Sequence, residues 1–181
     1  SLKKNLTPPP CNSYGNCSLC GLEYINRIYA FFEGCMYVYY CEVDTWYRLK
    51  IQKKLVAWDI ISCETNNVLY AFSQHGRKYC DVKAYDCCAE KWREVPKLKY
   101  KYSVNVPICA FTGKLYLYYQ STGEYKIYDP LSNKWYVTKP NPYINLESRK
   151  RVVPYGNELW LLSTQEWLQK KTYNVHIYRP E

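Results

Sequence analysis

The chain has 181 residues, 48% of them hydrophobic, with 25 lysines and arginines against 16 acidic residues and a net charge of +9. That length and apolar content suffice for one domain or one compact part of a larger protein, and they exclude a compositionally disordered chain. No apolar run approaches the roughly 20 residues a membrane-spanning helix needs, and 22 tyrosines and 6 tryptophans beside 4 phenylalanines and 1 methionine favour strands over helices.

Residues 1–21 read as an irregular segment or as part of a preceding repeat, and their opening, SLKKNLTPPPCNSYG, lacks the apolar core of a secretion signal. Cys11, Cys17 and Cys20 raise the question of zinc, because C-x-x-C brings two thiolates within reach of one tetrahedral ion. The second half of such a site is not evident, since His75 and His176 lie far downstream and form no ligand pair. No metal and no cofactor is expected.

From residue 22 onward the chain repeats. Residues 26–31 read NRIYAF, 67–72 NVLYAF, 113–118 GKLYLY and 157–162 NELWLL. Their central aromatics, Tyr29, Tyr70, Tyr116 and Trp160, are 41, 46 and 44 residues apart, a period shared by propellers and helical arrays, and strand-forming chemistry leaves the propellers. An apolar strand precedes these runs across a two-residue turn, as at Thr112-Gly113 and Gly156-Asn157. Gly113, Gly156 and Asn157 are residues able to supply the positive backbone angle that tight hairpins require.

A third strand runs into a recurring motif, VKAYDCCAEKW at 82–92 and YKIYDPLSNKW at 125–135, with seven residues from tyrosine to tryptophan. The first repeat offers Tyr40-Cys41-Glu42 and a six-residue step to Trp46. Each tryptophan opens a fourth strand, so the repeating unit is a four-stranded sheet, with units near 22–62, 63–105, 106–150 and 151–181. Asp86 and Asp129 are expected to hold the turns through bonds to backbone amides. Tyr85, Trp92, Tyr128 and Trp135 are expected to pack between neighbouring units, where large amphipathic rings bury most surface.

This order of strands, Tyr-Asp-Pro turn and tryptophan resembles the kelch repeat, with Ile177-Tyr178-Arg179-Pro180 similar to the first half of a further motif. The resemblance covers residues 22–181 and implies an all-β fold, a kelch-type β-propeller or partial propeller of four-stranded blades. The chain departs from the family where paired glycines are replaced by Ser73-Gln74, Tyr119-Gln120 and Ser163-Thr164. Kelch propellers commonly have about six blades. Four repeats therefore suggest the C-terminal part of a longer protein or omitted intervening residues, with a minimal propeller as the alternative.

Cys35, Cys41, Cys63, Cys80 and Cys109 lie in or beside strand-like segments, where a free thiol acts as a small buried hydrophobe. Reduced cysteines and a cytoplasmic location follow; a disulfide framework is the alternative for a secreted chain. Cys87-Cys88 reads as a turn pair, and a redox role would need a depressed thiol pKa. With no phosphate-binding glycine loop, no G-x-S-x-G elbow and no H-E-x-x-H motif, the chain is not expected to be an enzyme. Some kelch-like propellers are oxidases or isomerases, so the fold by itself does not decide this.

The excess cations cluster at Arg77-Lys78, Lys97 to Lys101, Arg149-Lys150-Arg151 and Lys170-Lys171, and such clusters attract anionic partners. Nucleic acid is an alternative at Lys97 to Tyr102, but no DNA or RNA module is visible. The expected binding surface is made of loops at 73–81, 97–103, 120–126, 139–151 and 164–173, carrying Arg77, Lys78, Tyr79, Tyr102, Tyr143, Arg149, Arg151 and Trp167. These cations and rings are the residue types that dominate interfaces, and they suit an acidic or phosphorylated protein or peptide segment. The resemblance further implies the substrate-recognition part of a BTB-kelch ubiquitin ligase receptor, with the cullin scaffold bound through a region outside this chain. An actin-binding or scaffolding kelch protein, or a viral kelch protein redirecting host ubiquitylation, is the alternative.

Overall fold

Short runs of tyrosine, valine and leucine punctuated by Asn, Asp and Gly become antiparallel strands in the computed structural model. It describes residues 7–8, 10, 18–22, 25–32, 35–50, 57–63, 67–75, 79–98, 106–119, 121–140, 149–167 and 170–180. The chain divides into two compact units, Ser1–Lys101 and Tyr102–Glu181.

The first unit holds two four-stranded meanders. One is β1 (Ser18–Leu22), β2 (Arg27–Phe32), β3 (Cys35–Tyr40) and β4 (Thr45–Leu49); the other is β5 (Ala57–Cys63), β6 (Val68–His75), β7 (Tyr79–Asp86) and β8 (Lys91–Glu94). In the second unit β9 (Ile108–Phe111), β10 (Lys114–Tyr119), β11 (Glu124–Asp129) and β12 (Lys134–Val137) make a third such sheet. A three-stranded sheet of β13 (Arg149–Tyr155), β14 (Glu158–Trp167) and β15 (Lys170–Tyr178) follows it.

The hairpins before β2, β6, β10 and β14 turn on residues with positive φ, namely Asn26 (52°), Asn67 (49°), Thr112 (47°) with Gly113 (74°), and Gly156 (56°). Asn and Gly enter this left-handed region at low cost. Two successive positive angles at Thr112-Gly113 match the hairpin turn whose twist suits the flanking strands.

The third and fourth strands of each complete sheet are joined in one way. Tyr39, Tyr85 and Tyr128 stand directly opposite Trp46, Trp92 and Trp135, with ring centroids 5.1 Å apart in every pair. The first motif therefore starts at Tyr39 rather than Tyr40, and its step is seven residues like the others. The reason is backbone geometry. The fifth residue after each tyrosine has positive φ, Asp44 at 51°, Glu90 at 53° and Asn133 at 52°, and a six-residue step would displace this bend from the register.

Two of these turn residues also receive the phenol. Tyr39 donates to the Asp44 carboxylate, and Tyr128 donates to Asn133 Oδ1 at 2.8 Å. The carboxylate beside it pushes the Tyr39 phenol up to about 12. Asp86 accepts from the Cys88 and Ala89 amides at 3.0 and 2.9 Å, and Asp129 from the Leu131 amide at 2.9 Å, so both aspartates hold their turns as expected.

In the first unit Tyr29, Phe31, Met36 and Val38 of one sheet pack on Leu69, Ala71, Tyr85 and Cys87 of the other. The second unit repeats this with Tyr116, Tyr118 and Tyr125 against Val152, Leu159 and Leu161. Burying each such side chain contributes roughly 1.5 to 3 kcal/mol. The tryptophans do less than expected: Trp46, Trp92 and Trp135 are half-buried, and it is Tyr85 that enters the core between sheets while Trp92 packs against its edge.

Cys35, Cys41, Cys87, Cys88 and Cys109 are free thiols. Burial pushes Cys87 and Cys109 up to about 12, the opposite of what a redox-sensing thiol requires. Cys11 and Cys17 lie outside the described residues.

One charge is buried in β11. Lys126 is 1% exposed, its Nζ 2.9 Å from Glu124 Oε2 and 5.8 Å from the Tyr119 ring centre. The Lys126 ammonium holds the Glu124 carboxyl below its ordinary range, helped by Thr122. Because the folded pKa is depressed, this pair stabilises the fold above the unfolded carboxyl value of about 4.3. Its contribution is lost as pH falls through the lower folded value.

Two predictions follow from this packing. In urea unfolding, Tyr85→Ala costs about 3 to 5 kcal/mol and half-exposed Trp92→Ala about 2 kcal/mol; the reverse order would contradict the core as described. Glu124→Gln costs about 1 to 3 kcal/mol at pH 7 because it removes the carboxylate from a buried ion pair, and Lys126→Met also destabilises because it leaves the Glu124 carboxylate without its ammonium. The Glu124→Gln deficit narrows as pH falls below the Glu124 titration, and a deficit independent of pH would exclude the ion pair as its source.

Candidate protein-interaction surface

In the β13–β15 sheet the side chains alternate between two faces. Val152, Leu159, Leu161 and Ser163 are buried on one, against the β9–β12 sheet. The register fills the other with rows: Arg151 opposite Leu162 opposite Val175, then Val153 opposite Trp160 opposite Ile177. Tyr173 lies beyond the first row, opposite Thr164, and Tyr155 beyond the second, opposite Glu158.

This second face is open to solvent. Val153 is 39%, Val175 and Ile177 49%, Tyr155 65% and Tyr173 71% exposed, with Trp160 and Leu162 half-buried between them. Contiguous apolar side chains of this kind on a folded surface mark interaction sites.

The polar groups around the face are arranged to leave it apolar. Trp160 Nε1 donates to Glu158 Oε2 at 2.9 Å and Arg179 Nε donates to Glu158 Oε1 at 2.7 Å, so both carboxylate oxygens are engaged. These two donors, the indole first, hold the Glu158 carboxyl below its ordinary range. Tyr155 tilts onto Trp160 with ring centroids 4.7 Å apart. What remains is an aromatic and aliphatic strip with the exposed Arg151 at one end and Arg179 at the other.

A cleft of about 60 Å³ lies between residues of the β9–β12 and β13–β15 sheets, lined by Tyr125, Thr138, Lys139, Leu161, Ile177 and Tyr178 among others. Tyr125 and Tyr178 stack there at 4.8 Å and 28°. The Tyr125 phenol is buried without a hydrogen-bond partner among the described residues, and burial raises its pKa.

Of the residues singled out in the sequence, Arg77, Lys78, Tyr102 and Tyr143 lie outside the described residues. The others stand in strands rather than in loops. Tyr79 opens β7 opposite His75, Arg149 and Arg151 lie in β13 opposite Thr164 and Leu162, and Trp167 ends β14 opposite Lys170. The expected loop at 164–173 shrinks to the two residues between β14 and β15, because the pairing of these strands runs on to Trp167 and Lys170. Arg151 thus joins a sheet face. Val153, Tyr155, Tyr173, Val175 and Ile177 were not anticipated; the alternation of Tyr173, Val175 and Ile177 with Asn174 and His176 is the period-two signal that marks them.

No protein-family model matches the sequence, and no curated protein matches it. Solved structures do. The chain resembles YjhT at 11% identity and a TM-score of 0.65, over 93% of this chain and 67% of that one. It resembles AztD from Citrobacter koseri, in its apo form, at 11% identity and a TM-score of 0.59, over 81% of this chain and 40% of that one. A chain of a nidogen/laminin complex is similar at 13% identity and a TM-score of 0.56, over 91% and 62%. These are β-propeller-type proteins. The sheets are propeller blades. The chain spans about two thirds of the length of YjhT and two fifths of that of AztD.

The two faces of the last blade predict different tolerances. Val175→Lys and Ile177→Lys each change stability by less than about 1 kcal/mol, whereas Leu161→Ala costs about 2 to 5 kcal/mol, both read from urea midpoints. A Val175→Lys loss as large as that of Leu161→Ala would mean that the open face is covered.

Proposed function

We propose that this chain is a protein-binding propeller of the kelch type, which captures a partner and performs no catalysis. The observation that carries the reading is the solvent-facing strip of Val153, Tyr155, Val175 and Ile177 beside Arg151 and Arg179. Apolar anchors set among arginines suit a partner segment that combines a hydrophobic residue with carboxylates or phosphates. A rigid sheet holds these groups in place without a cost of loop ordering. The kelch assignment is supported by three tyrosine–tryptophan pairs with one register and one turn geometry. In BTB-kelch proteins such a blade set is the substrate-recognition part of a cullin-RING ubiquitin ligase, with the cullin engaged through a separate region, whereas actin-binding and scaffolding kelch proteins use the same fold without a ligase. Five free thiols among the described residues support a reducing, cytoplasmic setting.

Peptides selected by the chain from an acidic and phosphorylated pool test the reading. Arg151→Glu combined with Val175→Lys weakens their binding at least tenfold, roughly 1.4 kcal/mol, without lowering the melting temperature. A surface control on the other unit, Lys91→Glu, leaves binding unchanged. Equal binding by all three proteins would remove this face from consideration. Alkylation under non-reducing, denaturing conditions should label Cys35, Cys41, Cys87, Cys88 and Cys109; native disulfides among them would overturn the cytoplasmic assignment.

A further inference from the structure

The turn of the first blade holds a residue from far upstream. Thr7 donates its amide to Asp44 Oδ1 at 3.3 Å and its hydroxyl to the same oxygen at 3.0 Å, and its carbonyl accepts from Trp46 Nε1 at 2.9 Å. The hydroxyl also lies 3.4 Å from the Asp44 carbonyl oxygen. Amide, side chain and carbonyl of one residue are thus all engaged by the Tyr39–Asp44–Trp46 motif. The blade does not need this contact. In the second blade the turn residue Glu90 accepts from Tyr40 and Arg27 instead, and the Trp92 indole has no hydrogen-bond partner among the described residues, yet the tyrosine–tryptophan pair keeps the same 5.1 Å. The bonds to Thr7 are exposed, so water competes for them and the segment comes away from the blade without unfolding it. Thr7 itself is exposed and is followed by Pro8-Pro9-Pro10, and no other serine or threonine in the chain precedes a proline. A following proline biases Thr7 toward extended backbone, and threonine-proline in an exposed, extended segment is the substrate pattern of a proline-directed protein kinase.

We propose that Thr7 is a phosphorylation site and that its phosphate releases the Thr7 segment from the first blade. The kinase transfers the γ-phosphoryl group of ATP to Thr7 Oγ1. The new O–P bond forms as the bond from the γ-phosphorus to the bridging oxygen breaks, ADP leaves, and the hydroxyl proton passes to a base of the kinase. The product carries a charge of about −2 at pH 7 and has lost the hydroxyl donor. In its present place it would stand against the Asp44 carboxylate that the hydroxyl now meets at 3.0 Å, so an attraction becomes a repulsion between like charges. The amide and carbonyl bonds of Thr7 are lost with it, because all three groups belong to one residue. The turn survives the loss, since Tyr39 still donates to Asp44 and the backbone bend at Asp44 is set by its own positive φ. The result is a stretch of the first blade, Trp46 beside the exposed Val43 and Tyr47, that the Thr7 segment covers until Thr7 is modified.

The whole chain, incubated with ATP and a proline-directed kinase, is expected to take up a single phosphate, assigned to Thr7 by mass spectrometry and absent from Thr7→Val. Proton exchange at the Thr7 amide and the Trp46 indole, read by NMR, then quickens by about tenfold or more, with the melting temperature unchanged. Asp44→Asn separates charge repulsion from mere bulk. Asparagine occupies the corresponding turn position in the third blade, Asn133, with the same positive φ, so the blade accommodates it. Its side-chain oxygen still accepts from Thr7, but it carries no charge. In Asp44→Asn phosphorylation quickens the exchange by about threefold or less, and about 1 M salt narrows the effect in the unaltered chain, because exposed charges are screened. No phosphate at Thr7, a phosphate that leaves both protons exchanging as before, or an acceleration as large in Asp44→Asn as in the unaltered chain, overturns the proposal.

Discussion

The tyrosine and tryptophan that face each other across the third and fourth strands hold the register on which each complete blade depends. Side chains in a sheet alternate with a period of two, so a slip of one residue would turn the whole core row outward. Here the slip is opposed at both ends of the pair. The rings meet at 5.1 Å in all three blades, and the chain between them bends at one residue held in the left-handed region, Asp44, Glu90 or Asn133. With register set, Tyr29, Leu69, Tyr116 and Leu159 all turn into the cores between sheets.

The candidate interaction face follows from the same alternation. Leu159 and Leu161 are committed to the core of the second unit, so Trp160, Leu162 and their neighbours on β13 and β15 are directed to the opposite side. Nothing in their chemistry distinguishes them from core residues, and it is the Glu158 carboxylate, satisfying Trp160 and Arg179 together, that lets an indole sit half-exposed with its polar atom bonded. The blade presents apolar and cationic groups on rigid backbone, which limits the conformational entropy lost when a partner segment binds.

The buried Lys126 differs from the other cations. Glu124 engages it within one strand, so it adds nothing to the positive surface that the composition suggests. The net charge of +9 is therefore a poor guide to where an anion would bind, and Arg151 and Arg179, exposed beside apolar rows, are a better one.

The sequence by itself determined the strand character of the repeated apolar runs, the turn roles of Asp86 and Asp129 and the hairpin bends at Gly113 and Gly156. Each of these depends on chemistry within about ten residues: alternation, a short side chain that accepts from nearby amides, and residues that tolerate positive φ. Tyr39 and Tyr40 are chemically alike, and only pairing with Trp46 across the turn decided which of them opens the motif. Arg149, Arg151 and Trp167 read as loop residues because charge and aromatic clusters carry no pairing information, and it was the partner strand that drew them into β13 and β14. Which face of β13–β15 became core and which became surface was likewise decided by tertiary structure. The neighbouring sheet covers Leu159 and Leu161 and leaves Val175 and Ile177 in solvent, and burial depends on that distant sheet rather than on the strand's own residues.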